Sequence, residues 1–207
     1  MNEEIANDRY QAIRASVAAA GYAHDIEWAQ NVKPPSSAEA FAREAIWVIL
    51  CSGMKEQVAR IIQERVWAAI NAGKTVRGNV LGKSGKAHAI DCIWGFRNVF
   101  YQQFKSASDK VEYCATIPWI GKITKWHLAK NLGVDCCKPD IHLERLAINY
   151  GTTPAKLCAK LSKSSGDRIA TVDVVLWRAC NLGIINSRKL SNDAIDAAIR
   201  AARGEGK

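Results

Sequence analysis

The sequence predicts an all-α protein, and three observations carry that reading. Apolar residues recur at helical spacing through most of the chain, Ser, Thr and Pro stand ahead of such runs with Gly behind them, and no segment alternates apolar and polar residues as a half-buried strand would. A chain of 207 residues is long enough for one fair-sized domain or two small lobes around buried cores.

The first predicted helix covers 3–20, with Ile5, Ile13 and Val17 among many alanines. Val32-Lys33-Pro34-Pro35 reads as a stiff linker, and Ser36-Ser37-Ala38-Glu39 has the form of a capping box before a helix that puts Phe41, Ala45, Val48 and Ile49 on one face. Amphipathic helices follow over 54–71 and 86–104, then a short one over 109–116. Ile117-Pro118-Trp119-Ile120-Gly121 reads as a tight turn, because Pro118 fixes φ and Gly121 permits a close backbone approach. A helix over 122–132 ends at Gly133. Beyond it come a helix from Asp140 to about Tyr150, one starting near Thr153-Pro154, a strongly apolar one from Arg168 to Asn181 closed by Gly183, and a last one over 191–203.

Charge narrows the class of partner. The net charge is +9, and it arises after residue 50: residues 1–50 hold 4 basic against 7 acidic side chains, 51–150 hold 15 against 8, and 151–207 hold 10 against 5. Such a chain suits a polyanion, with an affinity that falls as salt rises. The loop over 74–86 carries Lys74, Arg77, Lys83 and Lys86 with no acid among them, although its glycines are not in phosphate-loop order. Seven scattered cysteines, an odd number, read as reduced thiols, and the adjacent pair Cys136-Cys137 lacks a second pair at ligand spacing. No basic-then-apolar leader and no apolar run of about 20 residues is visible, so a cytoplasmic protein is expected, as a monomer.

The chemistry concentrates in residues 117–145. The backbone N–H groups of the turn and of the next helix's first turn suit a phosphate without reading a base, and Lys122 and Lys125 add charge. Some twenty residues on, Asp140-Ile141-His142-Leu143-Glu144-Arg145 places a carboxylate at a helix N-terminus after Pro139. An N-cap role and a catalytic one are compatible there, since the cap would hold the carboxylate rigidly where the helix dipole favours negative charge.

These two elements resemble the helix-hairpin-helix superfamily of DNA glycosylases, in which a Leu-Pro-Gly-x-Gly hairpin precedes an Asp-x-His-x-x-Arg segment. The match is strong over about thirty residues. Phe41 to Ile70 looks more loosely like the family's first core helix pair, and Gly85-Lys86-Ala87 like a later helix start. The resemblance implies two helical lobes, roughly 38–135 and the N-terminal segment with 140–207, and a DNA-binding cleft between them. It implies double-stranded DNA with a damaged or modified base as partner, Asp140 as the catalytic carboxylate, and DNA contacts from Trp119, Ile120, Gly121, Lys122, Thr124, Lys125 and His142. Met54 and Lys55, in the turn where relatives carry a wedge, join that set. A monovalent K⁺ or Na⁺ at the Ile117 and Trp119 carbonyls is also implied, with no iron–sulfur cluster because Cys158 and Cys180 are too few and too far apart.

Two departures from the family pattern matter. Trp119 replaces the first hairpin glycine, so either the turn needs no positive φ or the indole is placed to touch DNA. Ile123 stands where bifunctional members carry a Schiff-base lysine, and an apolar side chain forms no imine, which points to a monofunctional glycosylase. Lys122 and Lys125 would each be rotated roughly 100° or more from Ile123 on a helix. A lyase using a displaced lysine and a non-catalytic DNA-binding module are the rival readings. Trp28 and Trp119 flank loops and suit stacking on an extruded base or filling the gap it leaves, and Trp28, Trp47 and Asp173 are the candidates for the base pocket. Asp173, inside an apolar helix, needs a partner, with Arg168 or Lys189 as the ordinary choice.

Overall fold

The computed structural model describes residues 5–82 and 84–188, and every regular element among them is helical. In chain order these are α1 (Asn7–Val17), α2 (Ala23–Asn31), α3 (Ala38–Cys51), α4 (Glu56–Asn71), α5 (Gly85–Gly95), α6 (Arg97–Ser106), α7 (Lys110–Cys114), α8 (Thr124–Asn131), α9 (Ile141–Asn149), α10 (Pro154–Ser165) and α11 (Ile169–Asn181). The helix expected over 191–203 lies outside the described residues, as do Lys83 and Lys189.

Local chemistry explains where the elements depart from expectation. The first helix gives way after Val17 to a π-helical turn, Ala18–Tyr22, which breaks at Gly21 with φ 94, and the chain re-enters a helix, α2, that the sequence pattern did not reveal. Ser37 rather than Ser36 caps α3, accepting from the Ala40 N–H, so Glu39 falls a position short of closing a capping box and pairs with Arg43 one turn on. The helix expected over 86–104 is two. Gly95 and Phe96 interrupt it, and Arg97 donates to the Trp94 carbonyl that the break leaves open while its guanidinium lies over the Trp94 ring. Thr153 caps α10 with Pro154 in its first turn, and Gly133 (φ 84) and Gly183 (φ 74) follow α8 and α11.

The chain divides into two compact units, one made of 1–32 with 135–207 and the other of 33–134. In the first, α11 is central: α1, α2, α9 and α10 all pack on it. Tyr10, Ile13, Val17, Leu143, Leu146, Leu157, Leu161, Val172, Val175 and Leu176 form its core. The N-terminal segment is fastened by polar contacts as well. Gln30 Oε1 accepts from the Arg168 N–H and the Thr171 hydroxyl, and Arg168 donates to the carbonyls of Ala29 and Val32, so the end of α2 and the start of α11 satisfy each other. Tyr10 donates to Asp167 Oδ2 at 2.7 Å, and Arg14 donates to the same oxygen at 3.0 Å. Burial first, and then the Asp167 hydrogen bond, push the Tyr10 phenol well above its ordinary range.

The second unit is built on α3, against which α4, α5, α6 and α8 pack, while α7 packs on α8. Phe41, Ile46, Ile49, Leu50, Ile90, Ile93, Ile117, Leu128 and Leu132 are buried there. Gly133 lies against the backbone of Lys33 and Pro34, where an added Cβ would come within 2.6 Å of the Pro34 nitrogen, so the two ends of this unit meet side by side. The stiff Pro34-Pro35 pair and a glycine on the facing strand of chain are what allow that approach.

Tyr10→Phe removes a buried hydrogen bond to a charged acceptor and should lower stability by about 1.5–3 kcal/mol. Urea denaturation measures it, and a loss below about 0.5 kcal/mol would show that the Tyr10–Asp167 contact does not hold the N-terminal helix in place.

Candidate functional site

Asp140 is fixed by the helix it starts. Pro139 precedes it, the Asp140 N–H donates back to the Lys138 carbonyl at 2.8 Å, and its own backbone is extended, so helical geometry begins only at Ile141. Its Oδ1 accepts the N–H groups of His142 at 2.9 Å and Leu143 at 3.1 Å. Two of the otherwise orphaned donors of α9 are thereby satisfied by one oxygen, and Oδ2 accepts no hydrogen bond among the described residues. The result is a half-buried carboxylate whose orientation is set by two bonds to one of its oxygens.

Two interactions around the start of α9 escaped the sequence reading. Cys180, near the end of α11, has its thiol pushed up to about 12, by burial first and then by the charge of Asp140. Ser187, buried just beyond α11, sits 3.3 Å from Nδ1 of His142. The ring of His142 is thus tied back to its own unit. No periodicity could have signalled either contact, because both come from the return of the chain past α9.

In the second unit, residues 117–120 form a turn closed by the Ile120 N–H donating to the Ile117 carbonyl at 3.0 Å. Pro118 occupies its second position and Trp119, with φ 70, its third, which is the arrangement of a type II turn. The sequence left two options for Trp119, and the first fails: the turn does need a left-handed residue, and a tryptophan supplies it. Among the described residues Trp119 is the one non-glycine with positive φ, a conformation that costs a side-chain-bearing residue about 1–2 kcal/mol.

The rest of the hairpin differs from its expected form. The Gly121 N–H is not open to a ligand, because it donates to Thr124 Oγ1 at 2.7 Å. α8 starts at Thr124, two residues later than the sequence suggests, so Lys122 and Ile123 lie in the turn and the helical rotation argued between Ile123 and the lysines does not apply. The N–H groups of Lys122, Ile123 and Thr124 find no acceptor among the described residues. Lys122 is exposed, whereas the Lys125 ammonium is held 2.5 Å from Glu112 over the ring of Trp126.

Lys86, noted in the sequence only as part of a basic loop and a helix start, organises this end of the second unit. Its ammonium donates to the Ser52 carbonyl at 2.8 Å, and burial lowers its pKa. Beside it the indole of Trp119 rests on Gly85, where an added Cβ would lie 2.7 Å from Cζ3. The Ser52–Lys55 turn with Met54 and exposed Lys55, the start of α5, and the 117–121 turn therefore meet around Gly85 and Lys86. Charge is concentrated in the same unit: residues 33–134 hold 15 basic against 7 acidic side chains, a net of +8, whereas the remainder of the chain holds 14 against 13.

The pocket candidates are distributed over both units. Trp47 belongs to the second unit, half-buried on α3 beneath the Arg60 guanidinium. Trp28 on α2 and Asp173 on α11 belong to the first, the former 43% exposed and the latter 1%. Among the described residues no three His, Cys, Asp or Glu side chains are grouped to hold a metal, and no helix is long and apolar enough to cross a membrane. No family model, curated protein or solved structure matches the chain.

Asp140→Ala should cost about 1 kcal/mol by uncapping α9, whereas Asp140→Asn, also a good cap, should cost much less. Chemical denaturation of both variants tests this, and equal losses would show that capping is not what fixes Asp140. Cys180 offers a pH test. Its folded-state pKa is raised above the value of 9.0 it takes when unperturbed, so the associated stability is complete below pH 9.0 and is lost as pH climbs from there towards about 12. Cys180→Ala should flatten the alkaline fall in stability over that window, and an unchanged profile would contradict the burial of this thiol.

Proposed function

We propose that the protein is a monofunctional DNA glycosylase that flips a damaged or modified base out of the duplex and hydrolyses its N-glycosidic bond. The observation that carries this reading is Asp140, a carboxylate anchored through Oδ1 to the first turn of α9 while Oδ2 keeps its full hydrogen-bonding capacity. Such a group meets what glycosidic cleavage asks of a protein: a negative charge held still beside a developing positive one.

In this reading the second unit, with its net +8, grips the DNA backbone through the open amides of Lys122, Ile123 and Thr124 and the Lys122 ammonium. Asp140 in the first unit faces the extruded sugar, and the two-lobed arrangement with DNA held between the lobes is part of the same proposal. As the C1′–N bond breaks, its electrons leave with the base and positive charge develops on C1′ and the ring oxygen. Oδ2 stabilises that charge and orients the water that adds to C1′, whose spare proton passes to the carboxylate or to solvent. The exposed side chain of Ile123 supplies no amine for an imine, and the ion pair with Glu112 occupies Lys125, which together favour simple hydrolysis over lyase chemistry. The Ile117 carbonyl keeps one lone pair after closing the turn, so with the Trp119 carbonyl it fits a weakly held K⁺ or Na⁺, which takes no part in the chemical step.

The test is strand cleavage on labelled duplexes that each carry one damaged or modified base, scored with and without alkali. Breaks that need alkali are expected from the wild type, reduced about 10²–10³-fold or more in Asp140→Asn with DNA affinity retained. Breaks without alkali, together with a borohydride-trapped adduct, would replace hydrolysis by a lyase, and binding without breaks on a broad panel would reduce the protein to a DNA-binding module.

A further inference from the structure

We infer that the 117–124 hairpin recognises an unpaired nucleotide, with the Trp119 indole stacking on its base and the neighbouring backbone amides holding its phosphate. This rests on the hairpin being the DNA contact of the proposed glycosylase and extends it to the structure of the DNA that the contact selects.

The argument starts from the cost of placing a tryptophan at this position. A type II turn is satisfied most cheaply by glycine at its third position, and the chain instead carries its largest side chain there at φ 70. The indole is not buried in exchange. It stays 50% exposed, with part of the ring system resting on Gly85, the one residue type that leaves room for it. The effect is a shelf: the constrained turn and the Gly85 seat fix the ring from behind, and its remaining surface is open to solvent. An aromatic surface prepared in this way binds a base without paying for its own ordering, and it accepts any of the four because each has a π-face.

What surrounds the shelf narrows the ligand to a nucleotide. Three amides without acceptors, Lys122, Ile123 and Thr124, follow within five residues, Lys122 is exposed, and the unit carries a net +8. A phosphate on those amides and a base on that indole is the pattern of a single nucleotide read by face and charge. Fully paired duplex cannot satisfy it, because both faces of each internal base are covered by its neighbours, and a ring beside the backbone finds a free face only where a nucleotide is bulged, mispaired or single-stranded. The turn should therefore discriminate against intact duplex independently of any chemistry at Asp140.

The experiment uses undamaged labelled oligonucleotides at fixed salt: a perfect duplex, the same duplex with a one-nucleotide bulge, and the single strand. The wild type should bind the bulged and single-stranded forms about five- to a hundredfold more tightly than the perfect duplex, the range that one base–aromatic stack supplies. Trp119→Gly, which relieves the left-handed backbone, should bind the bulged and single-stranded forms no more tightly than the perfect duplex. Trp119→Phe should keep most of the preference, and Gly85→Ala, which forces the indole from its seat, should weaken it with the tryptophan still present. A wild type that binds all three DNAs alike, or a preference that survives Trp119→Gly, overturns this inference and leaves the glycosylase reading standing. A wild type that binds none of them removes both, and leaves the exposed indole to a protein partner.

Discussion

One hydrogen-bonding constraint governs the site: α9 begins after a proline and needs an acceptor for its first amides, and Asp140 is the residue that supplies it. A cap formed by Ser or Thr would leave no charge behind. An aspartate leaves a second oxygen, and because the first is anchored by two N–H groups the second is held in direction by the helix itself. Packing stiffens the arrangement further, since Leu143 and Leu146 of the same helix are buried in the core of the first unit and α9 rests on both α10 and α11. Rigidity is what electrostatic catalysis requires, because a carboxylate that had to reorient as charge developed would lose much of its advantage.

The second unit shows the complementary strategy, with local strain where the first has local satisfaction. Trp119 holds an unfavourable backbone conformation at the one turn whose sequence departs most from a glycine hairpin, and the Gly85 seat and the Lys86–Ser52 bond tie that turn to two other loops. Strain of this kind persists only where the surroundings over-determine it. Lys86 spends its charge on a backbone carbonyl and Lys125 on Glu112, so two of the basic residues nearest the hairpin serve its architecture, and exposed Lys122 and Lys55 carry the free charge.

The helices were legible wherever pattern and punctuation agreed. Thr153-Pro154 marks the start of α10, Gly133 and Gly183 mark the ends of α8 and α11, and the structure follows them closely. Legibility failed where a single residue bent the backbone without breaking the apolar pattern: Gly21 splits the N-terminal helix and conceals α2, and Gly95-Phe96 divides one expected helix into α5 and α6. At the site, the capping of α9 by Asp140 could be read from Pro139 and the residues that follow. The seat of Trp119 on Gly85, the bond from Lys86 to Ser52 and the approach of Cys180 to Asp140 could not, because each joins residues more than thirty positions apart through tertiary packing alone.

The central claim is that Asp140 promotes release of a free base from DNA, and the product itself tests it most directly. DNA bearing a broad mixture of damaged and modified bases would be incubated with the wild-type protein and with Asp140→Asn, and the small-molecule fraction analysed by mass spectrometry. The account predicts one or more free bases from the wild type, each matched by an abasic site in the polymer, and none above background from the variant. Release of nucleosides or nucleotides, or equal release by both proteins, would contradict it.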